Sequence, residues 1–239
     1  MARNIDIYPR YDKLLVAMAQ CYPQNIQVSE SSAVVGLQAI LDHTVERLLQ
    51  VTEEVVSFLT NEQHKSFCLI FKWGLDGKSG HSRYKQATLD PSLDDSSMLM
   101  TSLVPLQLYC PPMNVASSSR ASNKIIVWQN PRPGSTRFCR PLRIAFEKET
   151  AEKTKSEKER VSDEIKNLHA TDAMGCTVTF DPHLTMLDGK ACNAITYTKS
   201  TLRCYICQAT ISQFNNIDAM IVKTRWARPS AKPTFHQSV

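Results

Sequence analysis

Glycine is scarce, with seven residues in a chain of 239. Loops that cradle a nucleotide's phosphates on backbone amides need closely spaced glycines, so a phosphate-cradling glycine loop is not expected. Long apolar runs are missing too. No stretch approaches the roughly 20 residues that cross a membrane, and no secretory leader is visible. The expectation is an intracellular protein with no membrane partner. Neither sign of charge dominates: 28 basic against 23 acidic side chains give a net charge of +5 and a pI near 8.7. Such a balance permits a nucleic-acid partner without requiring one. The eight cysteines are scattered, save Cys204 and Cys207. In an intracellular protein that pair points to metal binding or redox chemistry before a structural disulfide. What is present suits a packed domain: 42% hydrophobic residues and a length for one large domain or a core with appendages.

The most informative stretch is Phe67–Gln86, FCLIFKWGLDGKSGHSRYKQ. An apolar, aromatic-rich run suited to a buried strand leads to Asp76, then to Gly77 and a basic tail. One reading is a tight Asp-Gly turn closing a hairpin. The other is a carboxylate at the carboxyl end of a strand, where open α/β sheets place their chemistry. Phe180–Lys190, FDPHLTMLDGK, repeats the pattern, so Asp76 and Asp188 share the tetrapeptide Leu-Asp-Gly-Lys. Two strand-end aspartates converge if their strands are neighbours. Paired carboxylates bind Mg²⁺ or Mn²⁺, and two such ions serve phosphodiester chemistry.

Along the chain, Tyr11–Cys21 reads as a helix bracketed by Pro9 and Pro23. Ser29–Ser32 offers N-caps for a long helical region from Ala33 to Leu59, with breaks expected at Gly36 or Thr52. His43 and His64 read as surface or core histidines. Met98–Cys110 reads as a strand with a bulge or an edge at Pro105, and Lys124–Gln129 as a third strand. The loop Asn130–Pro141 carries Arg132, Arg137 and Arg140, either solvated or in contact with phosphates. Glu147–Lys166 interleaves acids and bases in a solvent-facing helix whose carboxylates read as surface charge. Met174–Leu187 returns to strand character and delivers Asp188. Helices, three strands, a charged helix and a further strand form the order of a ribonuclease-H-like mixed sheet. In that α/β fold the first and fourth strands are neighbours, which would set Asp76 beside Asp188.

The segments IYPRYDKL, CYPQNI, LQAILDHTVERLL, KWGLDGKSGHSRYKQ, SLVPLQL, VWQNPRPGSTRFCRPLRI, TMLDGKACNA and CYIC together resemble the Transib-type DNA transposases, the family that includes the catalytic subunit of the V(D)J recombinase. The resemblance implies a helical region over residues 1–65, a ribonuclease-H-like core over 66–195, and the start of a zinc-binding insertion over 196–239. It implies that Asp76 and Asp188 are the first two acids of a DDE triad holding Mg²⁺ or Mn²⁺, and that Cys204 and Cys207 are half of a zinc site. Lys78, Arg83, Lys85, Arg137 and Arg140 are the expected phosphate contacts. The family's third acid, a glutamate beyond a long helical insertion, and the histidine pair of its zinc site have no counterpart in these residues. The expectation is therefore a shortened, impaired recombinase without a closed four-ligand zinc site. It would be nuclear, acting on DNA carrying transposon ends and pairing with a second copy or a full-length transposase. The alternative is a non-catalytic nuclear remnant that binds DNA or pairs with a transposase. A third reading, redox chemistry at the CYIC pair, leaves both LDGK motifs unexplained.

Overall fold

The computed structural model describes residues 9–80, 95–112, 124–198, 200, 202–206, 209–213 and 216. They form an α/β fold on one mixed sheet of eight strands. The strands are β1 (Gln27–Val28), β2 (Ser32–Val34), β3 (Phe67–Ser79), β4 (Ser97–Cys110), β5 (Ile125–Gln129), β6 (Arg140–Ala145), β7 (Thr171–Ala173) and β8 (Cys176–Met186). The spatial order is β1-β2-β6-β4-β3-β8-β7, with β5 also alongside β4. Only β3 and β8 pair in parallel; every other pair is antiparallel. The helix α5 (Ala151–Lys166) lies between β6 and β8 in the chain, the kind of crossover that parallel strands require.

Alternation along β3 decides the two faces. Phe67, Leu69, Phe71 and Trp73 are buried, while Cys68, Ile70 and Lys72 are only partly so. The buried set joins Leu37, Leu41, Val45 and Leu49 of α2 (Leu37–Val51) and Val161 of α5 in the main core. Those α2 positions recur at the helical period, so one stripe faces the sheet. At about 25 cal/mol per Å² of apolar surface, each fully buried Leu or Phe is worth roughly 1.5–3 kcal/mol. This stripe is the main reason the sheet and helices hold together.

Several expectations need correction. Residues 32–34 are a strand paired with β6, not the start of a helix. The α2 helix begins only after Gly36, which is extended and provides no side-chain cap. The break at Thr52 is present, and a four-residue helix, α3 (Glu53–Val56), follows. A one-turn helix, α4 (Asn61–His64), starts with a Thr60–Gln63 capping box. Helix α1 (Tyr11–Ala19) forms where periodicity placed it, yet buries none of its residues. The apolar residues Leu142, Ile144 and Ala145 belong to β6.

Pro105 shows how the centre of a sheet accommodates an imino acid. The β3–β4 register slips beside it, pairing Ile70 with Gln107 and Phe71 with Pro105. On the other side of β4 the neighbour changes there, from β6 over Leu99–Leu103 to β5 over Gln107–Cys110. The missing N–H therefore falls in a gap between partners, where it costs least. Asn130, 3% exposed, fills the gap: its Nδ2 donates to the Pro105 carbonyl at 2.7 Å and its backbone N–H to the Leu106 carbonyl at 2.9 Å.

The charged helix is not wholly surface. Glu157 is 5% exposed; it accepts from Thr101 Oγ1 at 2.6 Å and from Arg160 Nη2 at 2.7 Å. Arg143 lies 3.7 Å from its other oxygen. Its one sequence sign of burial is its place one helical turn before Val161; besides Arg160 of the same helix, its partners come from β4 and β6. No helix among the described residues is long and apolar enough to cross a membrane.

Candidate functional site

Strands β3 and β8 pair from Phe67 opposite Val178 to Trp73 opposite Leu184; the register then slips by one, so Gly74 faces Met186. Asp76 and Asp188 each lie two residues beyond that last pair and so at the same level, Asp76 still within β3 and Asp188 just past the end of β8. The residues just before them, Leu75 and Leu187, pack in one small cluster with Leu99 and Ala191. Because successive side chains alternate along a strand, Asp76 points to the face opposite Leu75. Both aspartates are exposed.

The slip depends on Gly74. A Cβ there would lie 1.8 Å from the Met186 carbonyl oxygen, so only glycine allows β8 to approach so closely. Without the slip the level partner of Asp76 would be Leu187.

The local settings of the two aspartates differ, although the tetrapeptide is the same. Asp76 lies inside β3, which runs on to Ser79 as a ladder with β4, Asp76 opposite Met100. No Asp-Gly turn forms there. Asp188 follows the end of β8 and is the N-cap of α6 (Gly189–Ile195); its Oδ1 accepts from the Ala191 N–H at 2.6 Å. Ala191 is also buried against Leu75 and Leu99. The docking of α6 thus holds Asp188 relative to the neighbour of Asp76. Burial, with the charge of Asp188 added, pushes the Cys192 thiol up.

Two further residues shape the site. Glu149, with a side chain only 8% exposed, lies over Gly77: a Cβ on that glycine would be 2.4 Å from Glu149 Cβ. Lys190 Nζ donates to Glu149 Oε2 at 3.1 Å. The pair ties the segment before α5 to α6 beside the two aspartates. No local sequence pattern announces it, since its members are 41 residues apart. Lys78, exposed and two residues beyond Asp76, shares its face of β3.

Two carboxylates at one level provide hard oxygen ligands of the kind Mg²⁺ and Mn²⁺ take. One Asp188 oxygen is engaged by the helix cap, leaving the other lone pairs for a cation. Among the described residues no group of three His, Cys, Asp or Glu side chains converges on a metal position. The donor type therefore fits a divalent ion, with one protein ligand fewer than the triad the resemblance implies.

The other expected contacts are dispersed. Arg137 is exposed on a 3₁₀ turn, Thr136–Phe138, whose Ser135 hydroxyl accepts from its N–H. Arg140 is level with Leu103 of β4, which is itself level with Trp73. It lies two strands from β3, with Nη1 donating to the Arg137 carbonyl at 3.2 Å. Cys204 sits in a tight turn, its N–H donating to the Ala209 carbonyl at 2.9 Å, beside an Arg203–Thr210 bridge. Arg83, Lys85 and Cys207 lie outside the described residues. Compared with known proteins, the chain matches no family model and no curated sequence.

Proposed function

We propose that this chain acts on DNA as a Transib-like DDE transposase or recombinase component, with Asp76 and Asp188 as two of its metal-binding acids. The observation that carries the reading is that each lies two residues beyond the last pair of the parallel β3–β8 ladder, with Leu75 and Leu187 just before them in one cluster. The finer fold assignment belongs to the same proposal. The order β6-β4-β3-β8, antiparallel except for the last pair, with a helix crossing between β6 and β8, is what a ribonuclease-H-like core calls for.

In this reading Asp76 and Asp188 hold the divalent ion. When bound, such an ion stabilises the attacking and leaving oxygens of an in-line phosphodiester displacement. The chain's own contribution is position and charge. The α6 cap keeps Asp188 from swinging away, and the Gly74 slip keeps it level with Asp76. Lys78 offers a cation to the phosphate backbone. The third acid of the triad and the histidine pair of the zinc site have no counterpart in these residues, so in this reading the chain is impaired by itself and a partner chain would supply them.

The test is a nicking assay on DNA with transposon ends in Mn²⁺, using the wild-type chain and Asp76→Ala, each with and without a full-length transposase of the resembled family. Metal-dependent nicking lost in Asp76→Ala supports the proposal. Nicking that Asp76→Ala leaves unchanged, with the variant still folded, overturns it.

A second reading, a non-catalytic DNA-binding or transposase-pairing nuclear protein, draws on one observation: among the described residues no group of three His, Cys, Asp or Glu side chains could hold a metal ion. Under that reading the chain binds DNA and shows no metal-dependent nicking in either setting.

A further inference from the structure

On the far side of β6 from the aspartates, a cavity of about 520 Å³ opens between the segment following α1, helix α2, and strands β2 and β6. Its size is within the range of small-molecule sites. Tyr22, Ile26, Ile40 and Ile144 contribute to its largely apolar lining. Three nitrogen-bearing side chains share that lining, His43, Arg47 and Arg140, and no acidic side chain does.

Each of the three has unused capacity. His43 Nε2 is buried without a hydrogen-bond partner, a state that ordinarily costs stability. Arg47 follows His43 by one helical turn, so both project from the same side of α2. It makes one long contact, from Nη1 to the Gln20 carbonyl at 3.5 Å. Arg140 donates through Nη1 to the Arg137 and Cys139 carbonyls, leaving the rest of its guanidinium fork. Burial lowers its pKa, and the nearby charge of Arg47 lowers it further. No described carboxylate pairs with either guanidinium. Two like charges and an orphaned imidazole nitrogen beside an apolar chamber are what an anion with a hydrophobic body relieves.

We infer that this cavity is a binding site for a small amphiphilic oxyanion, a carboxylate or phosphate monoester on an apolar body, held by Arg47, Arg140 and His43. The ligand's oxyanion sits at the two guanidiniums and its hydrocarbon or aromatic part fills the apolar chamber. The site stands apart from the aspartate pair and does not rest on the DNA reading.

Calorimetric titration of the full chain tests it. The probes are 4-phenylbutyrate, phenyl phosphate, and the neutral 4-phenylbutyramide. One anion is expected to bind one-to-one and at least tenfold tighter than the amide. Whichever of the carboxylate and the phosphate binds tighter identifies the source of the oxyanion. Arg140→Met and Arg47→Met should each weaken that binding at least fivefold, while Lys166→Met, on the exposed end of α5, leaves it unchanged. Arg47 is exposed, so its variant remains informative if Arg140→Met fails to fold. Three results overturn the site: the amide binding as well as the acid, a folded Arg47→Met binding as wild type, or no anion binding up to about 5 mM.

Discussion

Gly74 of β3 and Met186 of β8 approach so closely that a single methyl group on the glycine would overlap the Met186 carbonyl oxygen, at 1.8 Å. Around this contact the parallel ladder changes register by one residue. The change puts two aspartates, rather than an aspartate and a leucine, at the same level.

Gly74→Ala is accordingly expected to be strongly destabilising. The obstruction is backbone, which cannot rotate aside, so the cost should reach the upper part of the ~1–3 kcal/mol range for overpacking or exceed it. Urea unfolding measures it. Gly77→Ala meets a side chain, Glu149, and should cost less. Equal stability of Gly74→Ala and wild type would refute the close approach.

Asp188 carries two duties that substitution can separate. Asp188→Asn retains a cap for the Ala191 N–H, whereas Asp188→Ala removes it at a cost of about 1 kcal/mol. Both remove the carboxylate charge. The expected result is near-wild-type stability for Asn, a lowered melting temperature for Ala, and loss of Mn²⁺ affinity in both. Calorimetric titration with Mn²⁺ beside thermal unfolding reads both quantities; undiminished Mn²⁺ affinity in the Asn variant would remove Asp188 from the metal site.

The Glu157 carboxylate makes stability depend on pH. Burial, the largest single influence, pushes its pKa up, but hydrogen bonds from Arg160 and Thr101 and the charges of Arg160 and Arg143 outweigh it, leaving the group below 4.5. Glu147 is lowered likewise, first by its hydrogen bond from Lys153. Their contribution is therefore complete above the ordinary carboxylate range and disappears as pH falls through the lowered folded values. Glu157→Gln should cost about 3 kcal/mol near neutrality, as for other broken buried pairs. That penalty should shrink as pH falls below 4.5. Denaturation curves at several pH values test this; a penalty independent of pH would mean that the charge contributes nothing.

DNA binding, if the basic side chains contact phosphates, weakens with salt by about 0.9 in log–log slope per contact. Lys78→Ala should reduce the slope by about 1 and weaken binding to all sequences alike. Fluorescence anisotropy over a salt series gives the slope. An unchanged slope would remove Lys78 from the interface.

Much of this architecture is local, and local chemistry is legible in a sequence. Helical spacing of Leu37, Leu41, Val45 and Leu48 marked α2 and its buried stripe, and Pro105 marked a bulge. Aromatic-rich and β-branched runs marked β3, β4, β5 and β8. What escaped was set by partners far along the chain. Ala33 and Val34 read as the start of the helical region that follows them, yet β6 captures Ser32–Val34 as a strand. Glu157 looked solvated because residues 152–160 around it are all polar, yet Thr101 and Arg143 enclose it.

The two LDGK segments show the same division. Composition and the repeated tetrapeptide singled out Asp76 and Asp188, because a short motif at the end of an apolar run is a local signal. The tertiary structure alone decided that one lies inside a strand and the other caps a helix. It also decided that a glycine three residues before Leu-Asp-Gly ends, at Gly74, lets the neighbouring strand slip into level. Register is a property of two segments pressed together, and that contact exists only in the folded chain.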